Sequence, residues 1–232
     1  MSDSMKPVVM ISGASRGIGA AAAQAMLDAG WAVSLGMRDT SVSKFSGASV
    51  LNCRYDALDP VSEKEWVAET VSRFGGIDGL VLNAGIMMKR TVLEATDEDF
   101  DMMFAVNVKS PMRLSQLAWP HLQKKPGRIV VMSSLSGKRV RSAGAGLYGM
   151  SKFALTALSQ ALRQCGKESG IRSTAICPSY VATDMAQGLA SAPEEELTRP
   201  EDIAILIRTI LSLPPSASIA EVPVNWTVEE CY

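Results

Sequence analysis

Val8-Val9-Met10-Ile11-Ser12-Gly13-Ala14-Ser15-Arg16-Gly17-Ile18-Gly19 says more about this chain than any other stretch of its length. Its first five residues form a short apolar run of the kind that is buried on both faces of a parallel sheet. A turn punctuated by Gly13, Gly17 and Gly19 follows, and the Ala-rich segment 20–29 predicts a helix directly after it. Glycine lets the chain turn sharply and lets backbone N–H groups approach phosphate oxygens, whose charge a helix N-terminus favours. Glycine-rich turns also occur for structural reasons alone. Placement between a strand and an Ala-rich helix selects nucleotide binding, with Gly13, Ser15, Arg16, Gly17, Ile18 and Gly19 as the seat.

Outward from this unit the same alternation runs to the end of the chain. Further strands are expected at 32–37, 49–55, 79–83, 128–133, 173–178 and 221–225, and further helices at 60–74, 97–123, 147–169 and 200–211. Pro60 suits a first helical turn. Thr96 is placed to cap the 97–123 helix, with Asp97, Glu98 and Asp99 in its first turn. Residues 40–48 are too few and too rich in Ser and Gly for a crossover helix, so a loop or single turn is expected there. Apolar strands alternating with helices predict an α/β fold: a doubly wound, Rossmann-like parallel sheet with helices on both faces, forming one domain over residues 1–232. Such sheets bind ligands at the carboxyl ends of their strands.

Composition narrows the function. A hydrophobic content of 47% supports a core of that size, and a net charge of −1 gives no field to steer the chain onto nucleic acid or anionic membrane. No apolar run reaches the roughly 18 residues of a membrane span, and residues 1–6 lack the apolar core of a signal peptide, so a soluble, cytoplasmic protein is expected. Cys53, Cys165, Cys177 and Cys231 are widely spaced with no CxxC pair, which reads as reduced thiols and no metal site. His121 is the only histidine, so acid–base chemistry must come from other residues.

The end of the second strand discriminates between dinucleotides. An acid there would bond the ribose 2′-hydroxyl of NAD. This chain has Leu35-Gly36-Met37-Arg38-Asp39, with Arg38 near the expected acid and Arg16 within reach from the glycine loop. Two guanidinium groups suit a 2′-phosphate, so NADP(H) is expected in preference to NAD(H). Asp39 offers the alternative of accepting a ribose hydroxyl, should the strand end one residue later. Asp56, after the third strand, is placed to accept from an adenine amino group, and Asn83-Ala84-Gly85, after the fourth, to pass close to the ribose.

In Tyr148-Gly149-Met150-Ser151-Lys152 the tyrosine and lysine lie four apart, on one face of a helix. A phenol with a reference pKa near ~10 is poorly matched to neutral acid–base work, and a nearby ammonium is expected to lower it. Ser133-Ser134 at the end of the fifth strand adds a hydroxyl just upstream.

In order along the chain stand Gly13-x-x-x-Gly17-x-Gly19, Asp56, Asn83-Ala84-Gly85, Asn107, Ser133-Ser134-x-x-Gly137, Tyr148-x-x-x-Lys152 and the segment from Pro178 to Thr183. In these pieces the chain resembles the short-chain dehydrogenase/reductase family over nearly its whole length. The resemblance implies that Tyr148 gives the proton in carbonyl reduction and takes it in alcohol oxidation. It implies that Lys152 holds the nicotinamide ribose and tunes Tyr148, that Ser134 polarises the substrate oxygen, and that Asn107 organises a water chain. Pro178, Val181 and Thr183 would lie against the nicotinamide, with Val181 and Thr183 on its carboxamide. Hydride transfer between nicotinamide C4 and a small carbonyl or alcohol substrate follows, by a homotetramer or homodimer. A non-catalytic NADP(H)-binding sensor is the rival reading, against which the retained serine, tyrosine and lysine argue.

Some residues depart from the family pattern. Ser179 replaces the usual glycine after Pro178, and the spacing from Ser134 to Tyr148 is one longer than the commonest, which keeps Ser133 as an alternative. The region after Thr183 is short, and no acyl-carrier signature marks a 3-oxoacyl reductase. Lys138, Arg139 and Arg141, with Lys89 and Arg90, read first as solvated loop charges and second as an anion attractant near the pocket mouth. Met87, Met88, Met150 and Met185 read as packing or pocket wall.

Overall fold

The computed structural model describes residues 6–123, 126–189 and 192–228; Cys231 and the first five residues lie outside them. Seven strands form one parallel sheet in the order β3-β2-β1-β4-β5-β6-β7, from β1 (Val8–Ser12), β2 (Ala32–Met37), β3 (Val50–Arg54), β4 (Gly79–Leu82), β5 (Arg128–Met132), β6 (Arg172–Pro178) and β7 (Glu221–Val224). Every residue of β1, β2, β4 and β5 is buried, as strands covered on both faces must be. Alternate residues serve opposite layers. Val9, Ile11, Val81 and Val130 pack with α1 (Gly17–Asp28) and α6 (Pro200–Ser212). Met10, Leu80, Leu82, Ile129 and Val131 pack with α2 (Pro60–Phe74), α4 (Ser110–Leu122) and α5 (Gly146–Cys165). Both faces thus carry helices, as the apolar runs implied.

Local chemistry explains the element boundaries. Asp59 caps α2 by accepting from the N–H groups of Val61 and Ser62, Pro60 stands in its first turn, and Gly75 at φ 83° ends it. Gly36 in the middle of β2 seats Trp66 of α2. A Cβ at Gly36 would come within 2.7 Å of the indole, whose Nε1 donates to Ser34 Oγ at 2.8 Å. Pro223 sits in β7, the outermost strand, where a missing N–H costs no ladder bond on the open side. Between β2 and β3 there is only a 3₁₀ turn, Thr40–Val42, as its length and composition required.

The expected 97–123 helix is two helices. α3 (Asp97–Phe104) begins with the anticipated Thr96 cap and reciprocal Asp99 bond, but a π-helical turn, Ala105–Lys109, separates it from α4. Pro111 removes one rung at this point, because it lacks the N–H that an α-helix would aim at the Asn107 carbonyl. Other expected ends shift inward as well, β3 at both ends, β7 to Val224 and α1 to Asp28 among them. β4 and β5 stop at Leu82 and Met132, leaving Asn83 and Ser133 just beyond them, and α5 stops at Cys165, where Gly166 follows.

Candidate active site

A cleft of about 2170 Å³ opens over the carboxyl ends of the strands. A single small-ligand site typically occupies roughly 300–1,000 Å³, so this one has room for a dinucleotide and a second molecule. It lies where the strand order reverses between β1 and β4, the position at which doubly wound sheets bind ligands.

Gly13, Ser15, Arg16, Gly17 and Ile18 line one end. Gly13 and Gly17 have φ of 68° and 54°, conformations side chains rarely adopt. The N–H groups of Gly13 and Ala14 both donate to Gly36 O. Gly19 does not line the cleft; it packs so close that a Cβ would stand 2.2 Å from Gly13 O. The α1 N-terminus has no side-chain cap bond and no acid in its first turn, leaving its amides and positive end for an anion. Ser12, which sequence reasoning missed, is the clasp. Its Oγ accepts from the N–H groups of Asn83 and Ala84 at 2.9 and 3.0 Å, while Asn83 Nδ2 donates to Ser12 O and Gly13 O. A serine closing an apolar strand was the only trace of it in the sequence.

Arg38, Asp56, Asn83, Ala84 and Gly85 also line the cleft, as does Lys44, another residue not singled out beforehand. Asp39 is occupied elsewhere. β2 ends at Met37, and the Asp39 carboxylate takes both the N–H and the hydroxyl of Ser41, which hold its pKa below the usual value. Arg16 faces the cleft but pairs with Asp184 at 2.7 Å across its mouth.

At the other end stand Ser134, Tyr148, Lys152, Pro178, Val181 and Thr183. α5 carries Tyr148 and Lys152 on one buried face, with Lys152 Nζ 5.6 Å from the Tyr148 ring centre and donating to Met132 O at 2.8 Å. Burial pushes the Tyr148 phenol up to about 12, with the facing Ser134 side chain pulling the other way. Burial also holds the Lys152 ammonium down at about 8. The expected lowering of the phenol is therefore reversed: withdrawal from water outweighs the neighbouring amine, and the phenol is fully protonated at neutral pH.

The adjacent serines divide cleanly. Ser134 Oγ accepts from Ser136 N, donates to Pro178 O at 3.3 Å and faces Tyr148. Ser133 Oγ is turned under α5, where it shares a 2.6 Å hydrogen bond with Thr156 Oγ1 and reaches Lys152 O. Asn107, in the π turn, is fully buried and is not a wall residue. Its Oδ1 accepts from Ile86 N at 2.8 Å, and its Nδ2 reaches Ile86 O and Ser151 Oγ. Ser151, unnoticed between Tyr148 and Lys152, donates to Tyr148 O at 2.7 Å and so links Asn107 to the tyrosine's backbone. Ser179 fits without strain where the family has glycine: its N–H bonds Val224 O, and no described non-glycine residue has positive φ.

Comparison with known proteins gives a consistent result. The model of the family described as short chain dehydrogenase matches residues 7–194. An agropine synthesis reductase of Rhizobium rhizogenes is 35% identical over 219 residues, covering 92% of this chain and 51% of that protein, so the chain spans about half that relative's length. An alcohol dehydrogenase from Thermococcus sibiricus, complexed with 5-hydroxy-NADP, superposes with a TM-score of 0.84 at 27% identity, covering 94% of this chain and 96% of the other. A short chain dehydrogenase from Burkholderia cenocepacia in complex with NADP gives 0.86 at 28% identity, covering 96% and 98%. Among the described residues no helix is long and apolar enough to cross a membrane.

Proposed function

From the premise that this chain belongs to the short-chain dehydrogenase/reductase family of oxidoreductases, we propose that it is an NADP(H)-preferring carbonyl reductase or alcohol dehydrogenase. The observation that carries this reading is the placement of Tyr148, buried beside Lys152 and facing Ser134 at the end of the cleft opposite the glycine loop.

The residues fit a dinucleotide. A Cβ would fill the Gly13 and Gly19 cradle, and the uncapped α1 N-terminus suits a pyrophosphate. Arg38 and Lys44 supply positive charge where a 2′-phosphate would sit, and Asp39 is turned away from it. When bound, the nicotinamide supplies or accepts the hydride at the substrate carbon. Ser134 polarises the carbonyl oxygen, Tyr148 gives it a proton, and the carbonyl becomes an alcohol; oxidation reverses each transfer. Lys152 holds its proton beside the phenol and would hold the nicotinamide ribose. Asn107 acts as a positioning residue, fixing the Ile86 loop and, through Ser151, the first turn of α5.

The reading includes assembly as a homodimer or homotetramer through α4 and α5, which leave Met112, Met150 and Phe153 exposed. A monomer at micromolar concentration by light scattering would remove that part. The deciding experiment follows NADPH absorbance loss across aldehydes, ketones and β-keto esters, with NADH in parallel. Turnover with a clear NADPH preference is expected. Equal efficiency with NADH removes the cofactor preference, and NADPH binding with no turnover favours a sensor.

A further inference from the structure

We propose that Glu63 and Arg113, a buried ion pair between α2 and α4, are positioning residues that set the cleft's recognition of an adenine 6-amino group. The inference rests on the reading of the chain as a dinucleotide-dependent oxidoreductase and assigns the pair that shapes its adenine end.

Glu63 lies in the first turn of α2 and is fully buried. Arg113, in the first turn of α4, grips it with two nitrogens: Nε donates to Oε2 at 2.6 Å and Nη2 to Oε1 at 2.8 Å. Such a fork fixes the plane of the guanidinium. The second hydrogen of Nη2 then has one direction left, and it meets Ala57 O at 2.9 Å. Ser110, one turn before Arg113, shares a 2.7 Å hydrogen bond with Tyr55 Oη. The start of α4 therefore holds the segment after β3 at both Tyr55 and Ala57. Tyr55, Asp56, Ala57 and Leu58 all line the cleft, whereas Glu63 and Arg113 stand behind them.

Asp56 stands between the two tethered residues. Its N–H donates to Ser62 Oγ at 3.0 Å, its carbonyl accepts from Asp59 N at 2.9 Å, and its Oδ1 accepts from Leu58 N at 3.0 Å. Oδ2 is the oxygen left for an amino group of the base. An adenine 6-amino group donates, whereas the 6-oxo group of hypoxanthine accepts and would face the carboxylate acceptor to acceptor. A carboxylate separates the two only while its direction is fixed, and the tethered backbone on either side fixes it. Energetics point the same way. A buried ion pair adds little net stability, because desolvation of the two charges offsets much of their attraction, and apolar side chains of similar volume often serve as well. What this pair adds is the direction of one N–H, toward Ala57 O.

The test is fluorescence titration of the full chain with NADPH and with its hypoxanthine analogue, in which a 6-oxo group replaces the 6-amino group. Wild-type protein should bind NADPH about tenfold more tightly than the analogue. In Arg113→Met the ratio should fall to about twofold or less, because Ala57 and its neighbour Asp56 lose their tether. That variant leaves Glu63 buried without its partner and can fail to fold, so Glu63→Met/Arg113→Met removes both charges together. The double variant should melt close to wild type and still lose the discrimination. Equal affinities in the wild type overturn the proposal. So does a double variant that keeps the ratio, including one that weakens both ligands alike, which is what a purely structural pair would give. A double variant that no longer folds overturns it too, by making the pair a requirement of the fold. All of these outcomes leave the oxidoreductase reading standing. No binding of either ligand by the wild-type chain, or no turnover of any carbonyl by NADPH-bound protein, removes that reading itself.

Discussion

At the glycine-loop end of the cleft each close contact has backbone on at least one side. Gly19 stands against Gly13 O, Gly13 stands against Ala84, and Ser12 and Asn83 tie the two strand ends together. At the Tyr148 end the close contacts are between buried side chains: Ser134 with Tyr148, Asn107 with Ser151, and Ser133 with Thr156. The difference teaches how each end fails. A backbone site fails by geometry and takes binding with it, whereas a side-chain site can lose one function and keep its shape.

The sharpest way to break the comparison is Tyr148→Phe. Removing one hydroxyl should cut turnover by about 10³-fold or more while NADPH affinity stays within about threefold, as read by steady-state kinetics and fluorescence titration. Substantial residual turnover would mean that another group moves the proton. Gly19→Ala should act the opposite way. A Cβ at 2.2 Å from Gly13 O cannot be absorbed by a rotamer change, so NADPH binding should weaken by about 10²-fold. The melting temperature should fall with it. Unchanged affinity would mean that the loop is softer than its packing indicates.

The adjacent serines test the contrast within one end. Ser134→Ala should lower kcat by about 10²-fold with little loss of stability. Ser133→Ala should cost about 1 kcal/mol in denaturant unfolding and leave kcat within about threefold. Reversal of the two patterns would reassign the catalytic hydroxyl.

The smallest effect is that of pH. With Lys152 at about 8, reduction should decline as pH rises through that value and the ammonium is lost, and a flat profile from pH 7 to 9 would separate Lys152 from the chemistry. Stability moves the other way. The folded chain holds fewer protons than the unfolded one between about 8 and the ordinary lysine value of 10.5, so this group favours folding increasingly across that window. Above the ordinary phenol value of 10.0, Tyr148 opposes it. The unfolded chain deprotonates first, and its stabilisation is lost toward about 12. A melting temperature that falls steadily from pH 8 to 10 would contradict the Lys152 burial.

The same contrast explains what was legible in advance. Backbone-built features leave a mark on composition: glycines at 13, 17 and 19, continuous apolar strands and a Pro60 start all announce themselves because few residue types satisfy the geometry. Tyr148 and Lys152 were legible through helical spacing. Ser12, Ser151 and Lys44 were not, since serine and lysine are common everywhere and only the tertiary contact gives them meaning. The phenol's upward shift was hidden for a related reason. Spacing reveals which charges are near but not how much water has been removed. The break at Ala105–Lys109 escaped because the apolar pattern of 97–123 reads as continuous, and Pro111 so close to Asn107 was the only clue.

That break changes the phase of the helix. At about 100° per residue, Met103 and Leu114 would lie within about 20° of one another on an uninterrupted α-helix. Instead Met103 packs against Leu147 and Tyr148, while Leu114 packs into the sheet with Ala118 and Leu122. The wider turn works as a rotary coupling. One stretch of chain serves the catalytic layer before it and the structural layer after it, and Asn107 sits on the axle. Deleting a single residue there would swing the wall beside Tyr148 out of alignment with the core that supports it, so this short segment should tolerate substitution far better than any change in length.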